Sequence, residues 1–116
     1  MIVVFGSNGR TGREIIREAK LRNIAVRAVA KNDQDTQFLS DLVSVNELFF
    51  ADADHKESLY PALEGATGVI SCIDARTAGY GSPKYEKFAA SNIVHAAHEK
   101  NIKRILHLSV MGAYRW

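Results

Sequence analysis

Three glycines follow the apolar run Ile2–Phe5 in the segment GSNGRTG, at the spacing G-x-x-G-x-x-G. Glycine adopts backbone angles that side chains forbid, and it lets the backbone approach a ligand closely. The free N–H groups of such a loop, together with the positive end of a helix that follows it, can bind a pyrophosphate. Polar donors stand between the glycines, and a turn without a ligand does not need them. The predicted phosphate-binding residues are Gly6, Asn8, Gly9, Arg10, Thr11 and Gly12.

The type of dinucleotide depends on the residue that ends the second predicted strand. In NAD-selective domains an acidic residue about twenty positions beyond the loop binds the ribose 2′-hydroxyl and repels a 2′-phosphate. Here that position holds the cation Lys31, and Arg10 offers a second positive contact. This favours NADP(H) as the cofactor, although Asp33 is close enough to keep the NAD(H) alternative open.

The elements that must position this loop alternate between short apolar runs and amphipathic stretches. Nearly apolar strands separated by helices are typical of parallel strands that are covered on both faces. Right-handed crossovers then predict a doubly wound α/β sheet, and a glycine loop after the first strand favours a five-stranded, Rossmann-like order 3-2-1-4-5. The predicted strands are residues 2–5, 24–30, 47–50, 69–73 and 105–108, and the predicted helices are residues 11–22, 33–42, 55–63 and 85–100.

Length and composition limit the class of protein. A chain of 116 residues has the length of one domain and can bury a core. The net charge of +2 is small and dispersed, so no nucleic-acid partner is predicted. No segment approaches the roughly 20 apolar residues of a membrane span, and the first apolar run is too short for a signal peptide. The single cysteine, Cys72, excludes a disulfide framework, so a reducing, cytoplasmic location is expected.

Other residue pairs have spacings that occur in catalytic or metal sites. Tyr80 and Lys84 spell Tyr-x-x-x-Lys, but the intervening glycine and proline disfavour the helix that would bring both side chains to one face. His95 and His98 are three residues apart, yet zinc needs three or four ligands and no Cys or Asp cluster joins them. His107 is expected to pack in the core or at the edge of the last strand. No metal site is therefore predicted.

Several segments together resemble a known family. VVFGSNGRTG, VRAVAKN, FFADAD, SNIVHAAHEKNIKRILHLS and VMGA are similar to the atypical short-chain dehydrogenase/reductases, in particular the NmrA-like and flavin-reductase-like NAD(P)H-binding proteins. The resemblance covers nearly all of residues 1–116 and implies a Rossmann domain with Asn92 in the helix that follows the cofactor. The residues that it places at the cofactor are Asp52 and Ala53 against the adenine, and Ile73, Asp74 and Ala75 along the ribose and nicotinamide.

The chain also departs from this family's pattern. Members commonly carry paired serines after the fifth strand, where this chain has Ser109-Val110, and they continue into a further strand and a substrate pocket. The chain is therefore expected to be the N-terminal Rossmann part, either at its native length or as a truncated piece of a longer oxidoreductase or epimerase. Many short-chain dehydrogenases also use a Tyr-x-x-x-Lys helix downstream, and its absence leaves catalysis open.

Two functions fit these features. The first is hydride transfer to a flavin, a quinone or a similar small acceptor, since the cofactor carries the difficult step and the protein supplies orientation. The second is a non-catalytic module that binds the cofactor and reports redox state to a partner. Ser109 is the catalytic candidate, because its hydroxyl could polarise a carbonyl, although it cannot serve alone as a general acid.

The last predicted strand suggests self-association. In the order 3-2-1-4-5 residues 105–108 form an edge strand, and their sequence is apolar except for His107. An uncovered edge offers unpaired N–H and C=O groups to another chain. A homodimer is expected through this edge or through the tail, residues 112–116, with Tyr114 and Trp116 as aromatic anchors.

Overall fold

A computed structural model describes residues 1–73 and 83–108 of the chain. Its strands are β1 (Ile2–Phe5), β2 (Val26–Ala30), β3 (Leu48–Phe50), β4 (Gly68–Ser71) and β5 (Ile105–His107). They pair in parallel as a single sheet in the order β3-β2-β1-β4-β5. The predicted doubly wound α/β topology is confirmed.

Helices connect these strands on both faces of the sheet. Over the described residues the α-helices are α1 (Arg10–Leu21), α2 (Leu59–Ala62) and α3 (Pro83–Glu99), and the 3-10 segments are Asp33–Phe38, Val45–Glu47 and Lys56–Ser58. The helix predicted over residues 33–42 is shorter and of the 3-10 type, because its short polar side chains favour local bonds such as that from the Thr36 hydroxyl to the Asp33 carbonyl (2.6 Å). The helix predicted over residues 55–63 divides into a 3-10 turn followed by α2.

The two long helices end in the same way. Asn23 and Asn101 adopt left-handed backbone angles, with φ of 56° and 62°. The next residue then returns its N–H to the helix, from Ile24 to the Ala19 carbonyl (2.8 Å) and from Ile102 to the Ala97 carbonyl (2.9 Å). This arrangement satisfies carbonyls that a helix end leaves free, and asparagine tolerates the left-handed angle better than most residues. Each Asn-Ile pair thereby turns the chain toward the next strand.

The sheet separates two apolar layers, as the alternation of side chains along a strand requires. Val3 and Phe5 of β1 face α3, and Val4 faces α1. The α3 layer includes Val29, Leu59, Leu63, Val69, Ile73, Ala89, Ile93, Ala96, Ala97 and Ile102, and the α1 layer includes Ile16, Ala19, Val26, Ala28, Ala30, Leu39 and Cys72. Burial on both faces explains why the strands are nearly continuous apolar runs.

The carboxyl ends of the strands lie along one edge of the sheet. Phe5 pairs with Ser71, and Ala30 pairs with Phe50. The loops after β1, β2, β3 and β4 therefore begin at similar positions along the sheet. The chain proceeds from β1 to β2 on one side, whereas β4 lies on the other side of β1. Open α/β sheets bind ligands at such a switch point.

Strand β5 ends the sheet, as predicted, and its outer edge is open among the described residues. Leu106 is 55% exposed and lies beside Ile70 of β4. Together with Ile2 these two side chains line a groove of about 680 Å³, and Lys103 and Arg104 also line it. Over residues 1–73 and 83–108 no helix has the length and apolar character needed to cross a bilayer.

Candidate cofactor-binding site

The glycine loop is shaped by backbone contacts that leave no room for side chains. Gly6 has a left-handed backbone (φ +73°), and a Cβ atom placed on it would lie 2.7 Å from the carbonyl carbon and oxygen of Cys72. A Cβ on Gly12 would overlap the carbonyl oxygen of Gly6. The Gly9 N–H closes the turn by donating to the same Gly6 oxygen (3.2 Å). Gly6 and Gly12 are therefore required for the loop to lie between β4 and α1.

Helix α1 begins directly at this loop. Gly9 occupies the N-cap position, no side chain caps the helix, and its first turn contains no acidic residue. The first helical bond runs from the Arg13 N–H to the Gly9 carbonyl (3.0 Å). The N–H groups of the first turn precede this bond, so they and the positive end of the helix dipole are suited to bind an anion. Arg10 and Thr11 are exposed beside them.

Ser7 is a residue of the loop that sequence reasoning missed. Its side chain is fully buried. The hydroxyl donates to the Val4 carbonyl (2.6 Å) and accepts the Val29 N–H (3.1 Å), so it joins the loop to both β1 and β2. A serine in a glycine-rich segment usually indicates an exposed turn, and nothing in the sequence distinguishes this one.

The loop after β3 is held by two polar side chains. Ser58 accepts the Asp52 N–H (3.1 Å), and its hydroxyl lies 2.8 Å from the Asp52 carbonyl. Asn92 of α3 donates its amide to the carbonyl of Ala53 (2.7 Å), and Ala53 is buried. Asp54 donates its N–H to the Asp52 carboxylate (3.0 Å). The residues assigned to the adenine by resemblance thus form an ordered loop beside the carboxyl edge of the sheet.

The strands on either side of β1 supply the remaining candidates that the structure describes. Lys31 follows β2 and is half-buried, and Asp33 is exposed at the start of a 3-10 segment. Ile73 is buried just after β4, where the Cys72 N–H donates to the Phe5 carbonyl (2.9 Å). Burial raises the pKa of the Cys72 thiol to about 11, so the thiol stays protonated at neutral pH.

Other predicted candidates lie outside the site or outside the described residues. Asp74, Ala75, Tyr80 and Ser109 are not among the residues that the structure describes, and neither are the tail residues 112–116. His95 and His98 are exposed on α3. His107 is half-buried in β5, with Nδ1 3.2 Å from the Ser71 hydroxyl. Over residues 1–73 and 83–108 no three His, Cys, Asp or Glu side chains are arranged to bind a metal ion.

This arrangement suits a ligand with a phosphate group and an extended shape. The glycine loop offers backbone donors without side-chain obstruction, and the cations Arg10 and Lys31 come after β1 and β2. The loops after β1, β2, β3 and β4 leave along the same edge of the sheet. A dinucleotide lying across this edge would place its pyrophosphate at the positive end of α1.

The comparison with protein families agrees with this geometry. The model of the NAD(P)H-binding family matches residues 6–116, a range that begins at the first glycine of the loop and includes strands β2 to β5. The chain therefore belongs to the NAD(P)H-binding family. This confirms, at the level of the family, the resemblance to the NAD(P)H-binding short-chain dehydrogenase/reductases.

Curated relatives are longer than this chain. The chain is similar to the photosystem II assembly factor Ycf39 of Guillardia theta, with 28% identity over 116 residues, and to that of Cyanophora paradoxa, with 27% over 116 residues. In both cases the match covers 99% of this chain and 36% of the relative. The chain thus spans about a third of the length of these relatives.

Solved structures share the fold. The NADPH-dependent quinone oxidoreductase QOR2 of Escherichia coli, complexed with NADPH, superposes with a TM-score of 0.74 at 19% identity, covering 95% of this chain and 37% of that one. The UDP-N-acetylglucosamine 4-epimerase of Bacillus cereus gives a TM-score of 0.76 at 20% identity, covering 98% and 41%. At these identities the likeness supports the Rossmann-like fold alone.

Replacing Gly12 with alanine should disrupt cofactor binding. The new Cβ would meet the Gly6 carbonyl, so the loop or α1 must move, and we expect at least a tenfold loss of NADPH affinity with a destabilisation of about 1–3 kcal/mol. Fluorescence titration and urea unfolding measure the two effects.

Gly65→Ala is the matched control for this prediction. A Cβ there meets no atom within 4 Å, so only the strain of its positive φ of 80° applies, about 1–2 kcal/mol. This variant should keep its NADPH affinity. Unchanged affinity in Gly12→Ala would contradict the assignment of the loop.

Proposed function

We propose that this NAD(P)H-binding protein prefers NADP(H) to NAD(H). The observation that carries the proposal is Lys31, which directly follows β2 where an NAD-selective domain has an acid. A lysine there would donate charge-assisted hydrogen bonds to a 2′-phosphate, and an acid would repel it. Arg10, exposed at the start of α1, would add positive potential near the glycine loop. Asp33 lies two positions beyond Lys31 and is exposed, so it would repel a 2′-phosphate less than an acid at the position of Lys31 would.

The reaction that we propose is transfer of a hydride from the reduced nicotinamide to a flavin, a quinone or a similar small acceptor, with the accompanying proton drawn from solvent. When bound, the dinucleotide supplies the hydride, and the protein contributes binding and orientation. The residues of this chain fit the binding and orienting role that the protein would have. The glycine loop and the first turn of α1 would fix the pyrophosphate, and the ordered loop at Asp52 and Ala53 would receive the adenine.

A non-catalytic role is the second candidate. The curated relatives are named as assembly factors, and the described residues contain no Tyr-x-x-x-Lys pair on a helix. Under this alternative the protein binds the reduced and oxidised cofactors differently and passes that difference to a partner protein. The chain would then be a regulatory Rossmann module, or the N-terminal part of a longer protein. A cytoplasmic location remains a prediction based on the single cysteine.

Self-association through β5 is part of the proposal. The strand is at the end of the sheet, and Leu106 and Leu108 are 55% and 37% exposed. A second copy related by a two-fold axis would pair with this edge in an antiparallel, self-complementary manner and cover both leucines. The tail, residues 112–116, is the other proposed contact.

The cofactor preference is tested by titrating NADPH and NADH. The protein should bind NADPH more tightly, and Lys31→Asp should reverse the order, since a contact of about 1.5–3 kcal/mol is replaced by repulsion. Lys103→Asp is the matched control, because this exposed lysine precedes β5 at the opposite edge of the sheet. Equal affinities in the unmodified protein, or a preference for NADH, would refute the assignment.

The reaction is tested by comparing acceptors with NADPH as donor. Positioned acid–base catalysis contributes about 10²–10⁴-fold, so aldehydes and ketones should be reduced near the background rate, whereas a flavin or a quinone should be reduced measurably. Stopped-flow absorbance of NADPH gives both rates. Absence of turnover with every acceptor, despite tight binding, would favour the non-catalytic module. Ketone reduction that disappears in Tyr80→Phe would show that the Tyr80–Lys84 pair is catalytic after all.

The oligomeric state is tested by light scattering at micromolar concentration. The protein should be a dimer, and Leu106→Lys should give a monomer because a charge would be buried at the paired edge. Leu21→Lys is the control, since Leu21 is 73% exposed at the end of α1. A monomeric wild-type protein refutes the dimer. A dimer that survives both Leu106→Lys and deletion of residues 112–116 would place the interface elsewhere.

A further inference from the structure

We infer that Arg13, stacked on the ring of Phe38, is a specificity-determining residue that binds the 2′-phosphate of NADP(H) together with Lys31. The inference rests on the proposed NADP(H) preference and assigns part of it to a residue outside the glycine motif. Arg13 contacts both the glycine loop, at Gly9, and the segment after β2, at Phe38.

The Arg13 side chain extends back toward the glycine loop. Side chains on an α-helix lean toward its N-terminus, and Arg13 lies near the start of α1. Its Nε lies 3.4 Å from the Gly9 carbonyl oxygen, so the guanidinium sits beside the N-terminal end of the helix. The positive charge of Arg13 therefore lies on the side of α1 where the Gly9 carbonyl is found.

Phe38 holds the guanidinium from the other side. The Cζ atom of Arg13 lies 5.7 Å from the centre of the Phe38 ring, within the range of a cation–π interaction. Phe38 ends the 3-10 segment that begins two residues after Lys31. The Arg13 charge therefore lies between the loop after β1 and the segment after β2, and a 2′-phosphate on the adenosine ribose would enter the same region.

Within the described part of the chain, Arg13 differs from its neighbours in having no carboxylate partner. Two other arginines of this helical region form ion pairs, Arg17 with Glu14 and Arg22 with Glu18. Among the side chains that the structure describes, no carboxylate forms an ion pair with Arg13. The remaining N–H groups of its guanidinium can donate to a phosphate in a fork-like geometry, which a lysine cannot match.

Phe38 is exposed for a large apolar side chain, at 53% of its surface. An aromatic surface that supports a guanidinium restricts the rotamers of the arginine, and this restriction lowers the entropy lost when a ligand binds. The Arg13–Phe38 pair is thus arranged to present a charge, and Phe38 acts as the positioning residue.

The test compares ligands with and without the 2′-phosphate. Affinities for NADPH, NADH, 2′,5′-ADP and 5′-AMP are measured by calorimetry in the wild-type protein and in Arg13→Gln, Phe38→Leu and Arg17→Gln. Loss of one charge-assisted contact should weaken binding of NADPH and 2′,5′-ADP about tenfold in Arg13→Gln, and leave NADH and 5′-AMP within about twofold. Phe38→Leu should give a smaller loss, about threefold, for the same two ligands. Arg17→Gln should match the wild type.

The outcomes separate this inference from the proposed function. A wild-type protein that prefers NADPH, combined with an unchanged preference in Arg13→Gln, would overturn the inference and leave the proposed function intact. An equal loss for NADPH and NADH in Arg13→Gln would also overturn it, because Arg13 would then act on the shared pyrophosphate. A wild-type protein that binds NADPH and NADH equally would refute both the proposed NADP(H) preference and the inference on Arg13. The titration of the wild-type protein is sufficient to test the proposed preference. Thermal melting of each variant ensures that only folded protein is compared.

Discussion

The structure depends on the close approach of three backbone segments at Gly6 and Gly12. Helix α1 packs so near to the end of β1 that a single Cβ on Gly12 would overlap the Gly6 carbonyl, and Gly6 in turn lies against the backbone of Cys72. This contact fixes the start of α1 relative to β1 and β4. Because the helix N-terminus and the carboxyl ends of the strands are brought together in this way, backbone N–H groups can face a ligand without side chains between them.

Polar side chains then hold the neighbouring loops to this frame. Ser7 joins the glycine loop to β1 and β2, Ser58 holds the backbone at Asp52, and Asn92 connects α3 to Ala53. The Ser7 bonds are buried, and a buried backbone group left without a partner costs about 1–3 kcal/mol, whereas the Ser58 and Asn92 bonds are partly buried. Among the described residues, these bonds fix the loops after β1 and β3 without a cofactor, and a loop fixed in advance loses less entropy when a ligand binds.

The sequence predicted the features that arise from repeated, local patterns. Apolar runs separated by amphipathic helices predicted a parallel sheet, and the glycine loop after the run Ile2–Phe5 then favoured the strand order that the structure has. The helix over residues 33–42 was mispredicted because polar side chains there bond locally. The role of Ser7 and the Arg13–Phe38 contact could not be predicted, since both depend on segments more than twenty residues apart in sequence that the fold brings together.

The distribution of polar and apolar surface separates cofactor binding from recognition of an acceptor or a partner. The groups that would bind the phosphates and the adenosine come from β1, β2, β3 and the segments after them, and these are covered by α1 and α3. On the far side of β4, the described residues leave Leu106 and the groove beside Ile70 exposed. A second protein surface placed there would bury apolar area without touching the glycine loop. Occupation of the β5 side of the sheet by a partner is therefore compatible with binding of a dinucleotide at the glycine loop.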